Sequence, residues 1–135
     1  MKPLSAARIA VLSLIIMQTA CVRIPRTYTK EQLVGTYEIK YSFGTDRLIL
    51  NADNTYEQRF IDTAGNAYTN RGKWNFEGGR ENQVALINAF DVCSAFGKFA
   101  STEPRRGYSA RTFGWYGGTV IAVSEDLGLY MRKIR

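Results

Sequence analysis

The feature that most constrains this chain is an alternation of apolar and polar residues with a period of two. In the segment LVGTYEIKY, the side chains of Leu33, Tyr37, Ile39 and Tyr41 fall on one face, and those of Glu38 and Lys40 fall on the other. This alternation is typical of a β-strand with one buried face. The same period recurs in the segments RLIL, TYEQRF, YTNRGKWNF, QVALI, RTFGWY, TVIAV and LYMRKI.

Short turn sequences separate these segments, namely NADNT, DTAGN, EGGREN, GG and SEDLG. Asp, Asn and Gly favour turns because they tolerate left-handed backbone. About seven to nine short antiparallel strands in about 105 residues must protect their edges, and closure into a barrel is the usual way. We therefore predict an all-β fold, an antiparallel up-and-down meander that closes into a small barrel of about eight strands.

The stretch from Ala89 to Tyr108 is the least regular part of the chain. Its apolar residues are compatible with one more strand around Phe96–Ala100 or with a short helix around Phe90–Phe96. We expect irregular structure at Pro104–Gly107, where a proline, two arginines and a glycine follow one another.

The N-terminus has the order of a secretory signal peptide. Two basic residues and no acid occupy the first eight positions, and the nine almost wholly apolar residues Ile9–Met17 follow. A membrane-spanning helix needs roughly 20 apolar residues, so this run is short for a span. We predict export with residues 1–20 as the signal peptide; a retained N-terminal membrane helix is the alternative.

The end of this segment resembles the lipobox of bacterial lipoproteins, in which small residues precede a cysteine that is acylated. Thr19 and Ala20 precede Cys21 here, whereas Gln18 departs from the usual apolar residue. The alternative is an ordinary signal peptidase that cuts before Val22. The resemblance implies lipidation of Cys21, a membrane partner through that lipid, and, in a Gram-negative host, an outer-membrane lipoprotein facing the periplasm.

Removal of the signal peptide leaves 135 − 20 = 115 residues, which is one domain's worth. We divide them into a lipidated N-terminus and tether at 21–31 and a domain at 32–135. The mature side-chain charge is 16 − 12 = +4, because Lys2 and Arg8 leave with the signal. The only other cysteine, Cys93, has no intramolecular partner if Cys21 is lipidated, and its apolar neighbours predict a buried thiol.

The segments LVGTYEI, LILNADNTYEQRF, NRGKWNF and VALI resemble the opening of the lipocalin-like, or calycin-like, small barrels of bacterial lipoproteins. The resemblance covers roughly residues 33–87 and informs fold far more than function, because such families include ligand carriers, enzyme inhibitors and proteins without a known activity. An eight-stranded barrel is either filled by side chains or holds one small ligand. We expect six residues to face the interior: Tyr37, Ile39, Tyr56, Phe60, Trp74 and Phe76.

The residue types present limit the chemistry. The chain contains no histidine, which excludes Ser-His-Asp and Cys-His catalysis and imidazole zinc sites. The candidate acids Glu57, Asp62, Asp91 and Glu103 have no spacing that brings a pair together, and surface charge is the simpler interpretation. We expect a protein that is not an enzyme and has no cofactor and no metal.

The densest polar feature is PRRGYSARTFGWY, where Arg105, Arg106 and Arg111 lie close in sequence to Tyr108. Arginine and aromatic residues together are common at protein-binding surfaces, although a solvated loop beside a core strand gives the same pattern. Export argues against nucleic acid as a partner. The sequence thus predicts a non-enzymatic binding or structural module of the cell envelope. The alternatives are a hydrolase inhibitor that uses the loop Thr102–Thr112 and a carrier of a small apolar ligand.

Overall fold

The structure is a computed structural model that describes residues 28–77, 82–94, 96–115, 118–124 and 126–135. The predicted signal peptide and Cys21 lie outside this part of the chain. The described elements are one short helix and eight strands: α1 (Lys30–Leu33), β1 (Gly35–Tyr41), β2 (Gly44–Leu50), β3 (Thr55–Asp62), β4 (Ala67–Glu77), β5 (Gln83–Ile87), β6 (Tyr108–Trp115), β7 (Thr119–Ser124) and β8 (Leu129–Lys133).

Each strand pairs antiparallel with the next, and β8 pairs with β1, so the sheet closes into a barrel in meander order. The prediction of an all-β, up-and-down barrel of about eight strands is confirmed. Closure through the pair Glu38 and Arg132 leaves no strand edge open among the described strands.

The two ends of the barrel are built differently. At one end, which we call the helix end, α1 enters β1 and the C-terminal residues leave β8; Thr36 donates to the carbonyl of Arg135 at 2.9 Å. At the other, the crossover end, β1 turns into β2, β3 into β4, and residues 88–107 connect β5 to β6. We call residues 88–107 the crossover.

Neither the strand nor the helix predicted for the crossover is present in its described residues. The backbone instead folds back on itself through two isolated bridges, Phe90 with Pro104 and Cys93 with Phe99. A tight turn explains the reversal: the amide of Gly97 donates to Ser94 O at 2.9 Å, and that of Ser94 donates to Lys98 O at 2.8 Å. Gly97 has φ +72°, a left-handed conformation that favours glycine.

The start of the domain also differs from the expected strand face. Leu33 lies in α1, and the Tyr37 hydroxyl donates to its carbonyl at 2.7 Å. Leu33 is fully buried and belongs to the main core cluster. Tyr28 packs edge-on against Phe113 at 4.8 Å between ring centroids, so contacts with the barrel begin before the strand does.

Gly72 on β4 leaves room for the ring of Tyr56. A Cβ added at Gly72 would lie 2.6 Å from Ile87 O and 2.7 Å from Cε1 of Tyr56. The close approach of β3, β4 and β5 here therefore depends on the missing side chain. Among the described residues, no helix has the length and apolar character to cross a bilayer.

Candidate functional site

The residues predicted to face the barrel interior are mostly buried. Tyr37, Phe60 and Trp74 are fully buried and Tyr56 is 1% exposed. Ile39 is buried as well, whereas Phe76 is half-buried and packs against Phe113 at 5.6 Å between ring centroids. The alternation of apolar residues thus corresponds to the inward face of the strands.

Three of these side chains are anchored through their polar atoms to main-chain carbonyls. Besides the bond from Tyr37 to Leu33, Tyr56 donates to Ile87 O at 2.6 Å and the indole of Trp74 donates to Asn51 O at 2.9 Å. A buried aromatic ring with its polar atom satisfied adds both area and directional contacts to the core. These rings are therefore fixed packing elements of the barrel interior.

Polar side chains occupy the interior near the crossover end. Asp46 on β2 is 1% exposed and Gln58 on β3 is fully buried. The amide nitrogen of Gln58 donates to both carboxylate oxygens of Asp46, at 3.2 and 3.0 Å. Arg111 on β6 points into the barrel, where it donates to Phe90 O at 3.2 Å. We call Asp46, Gln58 and Arg111 the interior polar cluster.

This cluster holds the crossover against the barrel. Gln58 accepts a hydrogen bond from the amide of Phe90 at 2.8 Å and donates to the carbonyl of the same residue at 3.4 Å. Both main-chain groups of Phe90 are thus satisfied by one side chain, whose amide is oriented by Asp46. Phe90 itself packs in a second buried cluster with Phe60 and Val92.

Burial dominates the electrostatics of the cluster. It raises the pKa of Asp46 to about 6, although the positive charge of Arg111 and the hydrogen bond from Gln58 act in the opposite direction. The nearby Tyr41 hydroxyl is buried without a hydrogen-bond partner among the described residues, and its pKa is raised by burial first and by the charge of Asp46 second. The pKa of this carboxyl therefore lies well above the usual range of an aspartate.

The structure does not unite the predicted binding residues. Arg105 pairs with Asp91 on the crossover at 3.5 Å, and Arg106 is exposed there. Arg111 instead belongs to the barrel interior. Tyr108 begins β6, so the expected loop Thr102–Thr112 was too long: its last five residues form part of a strand that pairs with β5.

The crossover does carry an aromatic surface that the sequence reasoning missed. Phe96 is 85% exposed and Phe99 is 50% exposed on either side of the turn at Gly97; we call Phe96 and Phe99 the aromatic tip. Phe99 lies 5.9 Å from the rings of both Phe43 and Phe60, so the tip continues the aromatic packing of this end to the surface. The sequence FGKF could have indicated this surface, because two aromatic residues flank a Gly-Lys turn.

Each of the candidate acids has a local role or is exposed. Glu57 pairs with Arg71 at 2.8 Å, Asp62 accepts hydrogen bonds within its own turn, and Asp91 pairs with Arg105; Glu103 is exposed. Asp46, the buried acid, was not among them. The sequence did contain an indication, because Asp46 alternates in phase with Leu48 and Leu50. A polar residue at such a position lies on the same buried face as the leucines.

Cys93 is a free, buried thiol in the crossover, and burial raises its pKa. An unreactive thiol fits this environment, because the thiolate is the reactive form. In the part of the chain that the structure describes, no three His, Cys, Asp or Glu side chains are grouped to hold a metal ion.

A scan against protein-family models, a search of curated proteins and a search of solved structures each found no match to this chain.

Proposed function

We propose that this protein is a non-enzymatic lipoprotein of the cell envelope, with a lipocalin-like barrel that binds a partner protein through its aromatic tip. The lipobox-like sequence at Cys21 supports the anchor. The observation that supports binding is the 85% exposure of Phe96 at the turn of the crossover. A large apolar ring held in water beside further apolar rings is typical of an interaction site.

The tip is rigid enough to serve as a preformed contact. Besides the two main-chain bonds of the turn, the Ser94 hydroxyl accepts hydrogen bonds from the amides of Phe96 at 3.3 Å and Lys98 at 3.2 Å. The Leu127 side chain lies beside Gly97, 3.5 Å from where a Cβ would stand, and is itself 43% exposed. Such a turn loses little conformational entropy when a partner covers it.

The chain direction gives the tip an orientation. The described chain begins with Tyr28 at the helix end, and the crossover lies at the opposite end of the barrel. An anchor upstream of Tyr28 therefore leaves the aromatic tip at the end of the barrel farthest from the lipid. The partner best suited to this geometry is an envelope protein with an apolar groove that accepts Phe96.

A carrier of a small apolar ligand is supported less well, because three interior aromatic side chains are buried and hydrogen-bonded to main-chain carbonyls. An inhibitor of an envelope hydrolase, predicted from the sequence to use the loop Thr102–Thr112, would be a special case of the proposal if the hydrolase bound the aromatic tip instead. Identification of the bound protein as a hydrolase would distinguish an inhibitor from other kinds of binding protein.

The anchor is tested by intact mass spectrometry of the protein purified from its native membranes. The expected mass lacks residues 1–20 and carries a diacylglyceryl and an acyl group on Cys21. An unmodified chain that begins at Val22 would overturn the lipoprotein part of the proposal and leave an exported protein without an anchor.

Binding is tested by placing a photo-crosslinking phenylalanine analogue at position 96 in the native envelope. Position 134 is the matched control, since Ile134 is also apolar and 49% exposed but lies at the helix end. We expect one envelope protein to be cross-linked from position 96 only. With that protein purified, Phe96→Ser should weaken its affinity at least tenfold. An unchanged affinity, or equal cross-linking from position 134, would contradict the proposal.

A further inference from the structure

The outer surface of the barrel carries a row of arginines across four adjacent strands. The strand register places Arg132 on β8 beside Glu38 on β1, Glu38 beside Arg47 on β2, and Arg47 directly opposite Arg59 on β3. Adjacent strands lie about 4.8 Å apart, so this row spans roughly 15 Å. Three positive charges and one negative charge therefore share one line on the surface.

Two arginines of the row, Arg47 and Arg59, face each other across neighbouring strands. Glu38 binds Arg47 at 2.6 Å, whereas Arg59 is exposed and forms no ion pair with any residue in the described ranges. Like charges directly opposite each other on neighbouring strands are unfavourable. An anion above Arg47 and Arg59 would relieve this repulsion.

The surroundings extend the same charge. The outward positions of β8, β1, β2, β3 and β4 hold six basic and three acidic side chains: Lys40, Arg47, Arg59, Arg71, Lys73 and Arg132 against Glu38, Glu57 and Glu77. We call this surface the basic wall. The outward positions of β5, β6 and β7, among the residues described, are uncharged. The charged outward positions of the described strands are therefore confined to one side of the barrel.

We infer that the basic wall lies against a membrane surface rich in anionic lipid and binds its headgroup phosphates. The wall includes β1, the strand that the N-terminal segment enters through α1, so a lipid on Cys21 would bring this side close to the bilayer. In this respect the inference rests on the proposed anchor. Arginine suits the role because its planar guanidinium binds phosphate oxygens in pairs. Ile61, 37% exposed on β3, adds an apolar contact beside the row.

The inference is tested with vesicles and with the full chain carrying Cys21→Ser, so that no acyl group contributes. Binding is compared between vesicles of phosphatidylcholine alone and vesicles with an equal part of phosphatidylglycerol. Each basic side chain near an anionic surface contributes about fivefold, so Arg47→Gln with Arg59→Gln should lower the preference for anionic vesicles about 30-fold. Added salt should reduce the wild-type preference in the same direction.

The matched control is Arg105→Gln with Arg106→Gln, which removes the same charge at the crossover end. Each pair contains one arginine in an ion pair and one without any in the described chain. The control should keep at least a third of the wild-type preference. Equal loss in both pairs would mean that net charge alone acts and would overturn the inference.

Two further outcomes would also overturn it. One is wild-type binding that is the same for both kinds of vesicle. The other is tight, Arg47- and Arg59-dependent binding to soluble heparin without any preference for anionic vesicles, which would indicate a polyanion as the ligand. Circular dichroism and melting temperature establish that each variant is folded. Since Cys21 is absent throughout, a failure here is distinguishable from a failure of lipidation, which the mass measurement reports.

Discussion

The helix end and the crossover end of this barrel are closed by different kinds of contact. At the helix end, Tyr37, Trp74 and Leu33 are buried in one apolar cluster, and the Tyr37 hydroxyl and the Trp74 indole donate to main-chain carbonyls. At the crossover end, a carboxyl and an amide are buried instead, and the connection above them is held through the main chain of Phe90.

This difference should give the two ends of one small domain different resistance to unfolding. Burial of apolar area does not depend on pH, whereas a buried polar cluster depends on the charge of its members. We therefore expect the helix end to determine the global free energy of unfolding and the crossover end to open locally at lower cost. The aromatic tip, held by the hydrogen bonds of its own turn, lies at the crossover end.

The largest effect is expected from Trp74→Ala at the helix end. The indole is fully buried and its N–H is bonded, so its removal should lower the free energy of unfolding by about 3–5 kcal/mol. Chemical denaturation followed by circular dichroism measures this value. Lys73→Ala is the control, because Lys73 is the exposed neighbour on the same strand, and it should change stability by less than about 0.5 kcal/mol. Similar losses for both variants would contradict the assignment of the core.

A somewhat smaller effect, dependent on pH, is expected from Asp46. Burial raises its folded pKa to about 6 from an ordinary value of 3.8, so between these values the folded state binds the proton more tightly than the unfolded state. Stability should therefore fall as pH rises from about 4 to about 6, by up to about 3 kcal/mol. Asp46→Asn should remove this slope and leave the variant less sensitive to pH.

The measurement is the difference between wild type and Asp46→Asn in denaturant unfolding at a series of pH values. Asp53 and Asp62 have lowered pKa values because their own turns donate hydrogen bonds to them, so they contribute the opposite slope below about pH 4. The difference between the two proteins cancels their contribution. If the free energy of unfolding of wild type and variant varied with pH in parallel, the raised pKa of Asp46 would be contradicted.

The sequence predicted the barrel because its alternation is strong and local. Strand faces follow from the period of two, and the turns carry Asp, Asn and Gly where the backbone needs them; Asn54, for example, has φ +67° in the turn between β2 and β3. The closing pair of β8 with β1 followed from the need to protect edges. These inferences used only neighbouring residues and general rules of sheets.

The crossover and the polar cluster could not be predicted in the same way. The contact between Gln58 and Phe90 joins residues 32 positions apart, and no local period reports it. Arg111 appeared to belong with Arg105 because they are close in sequence, yet strand alternation turns Arg111 inward and the crossover carries Arg105 outward. A candidate site assembled from sequence proximity was separated by the topology.

An intermediate effect is expected from Gly72→Ala, which tests the packing where β4 passes Tyr56 on β3. The added methyl group would stand 2.6 Å from Ile87 O, so β5 or the tyrosine ring must move, at about 1–3 kcal/mol. Gly114→Ala is the matched control, because no atom lies within 4 Å of its Cβ position, and it should leave the melting temperature within a few degrees of the wild type. Equal shifts for the two alanines would show that backbone entropy, and not close approach, is responsible.

The smallest effect is expected from Arg105→Ala, which removes the ion pair with Asp91 on the crossover surface. The two side chains are 72% and 57% exposed, and such pairs contribute less than about 1 kcal/mol because water screens them. Hydrogen exchange at the Phe90 amide, which donates to Gln58, reports opening of the crossover. The exchange rate should change less than about twofold in Arg105→Ala. It should rise at least about tenfold in Gln58→Leu, because this variant removes the acceptor. If the two variants accelerated exchange equally, the Arg105–Asp91 ion pair would hold the crossover as firmly as the interior polar cluster does. The conclusion that the interior polar cluster is the stronger attachment would then be wrong.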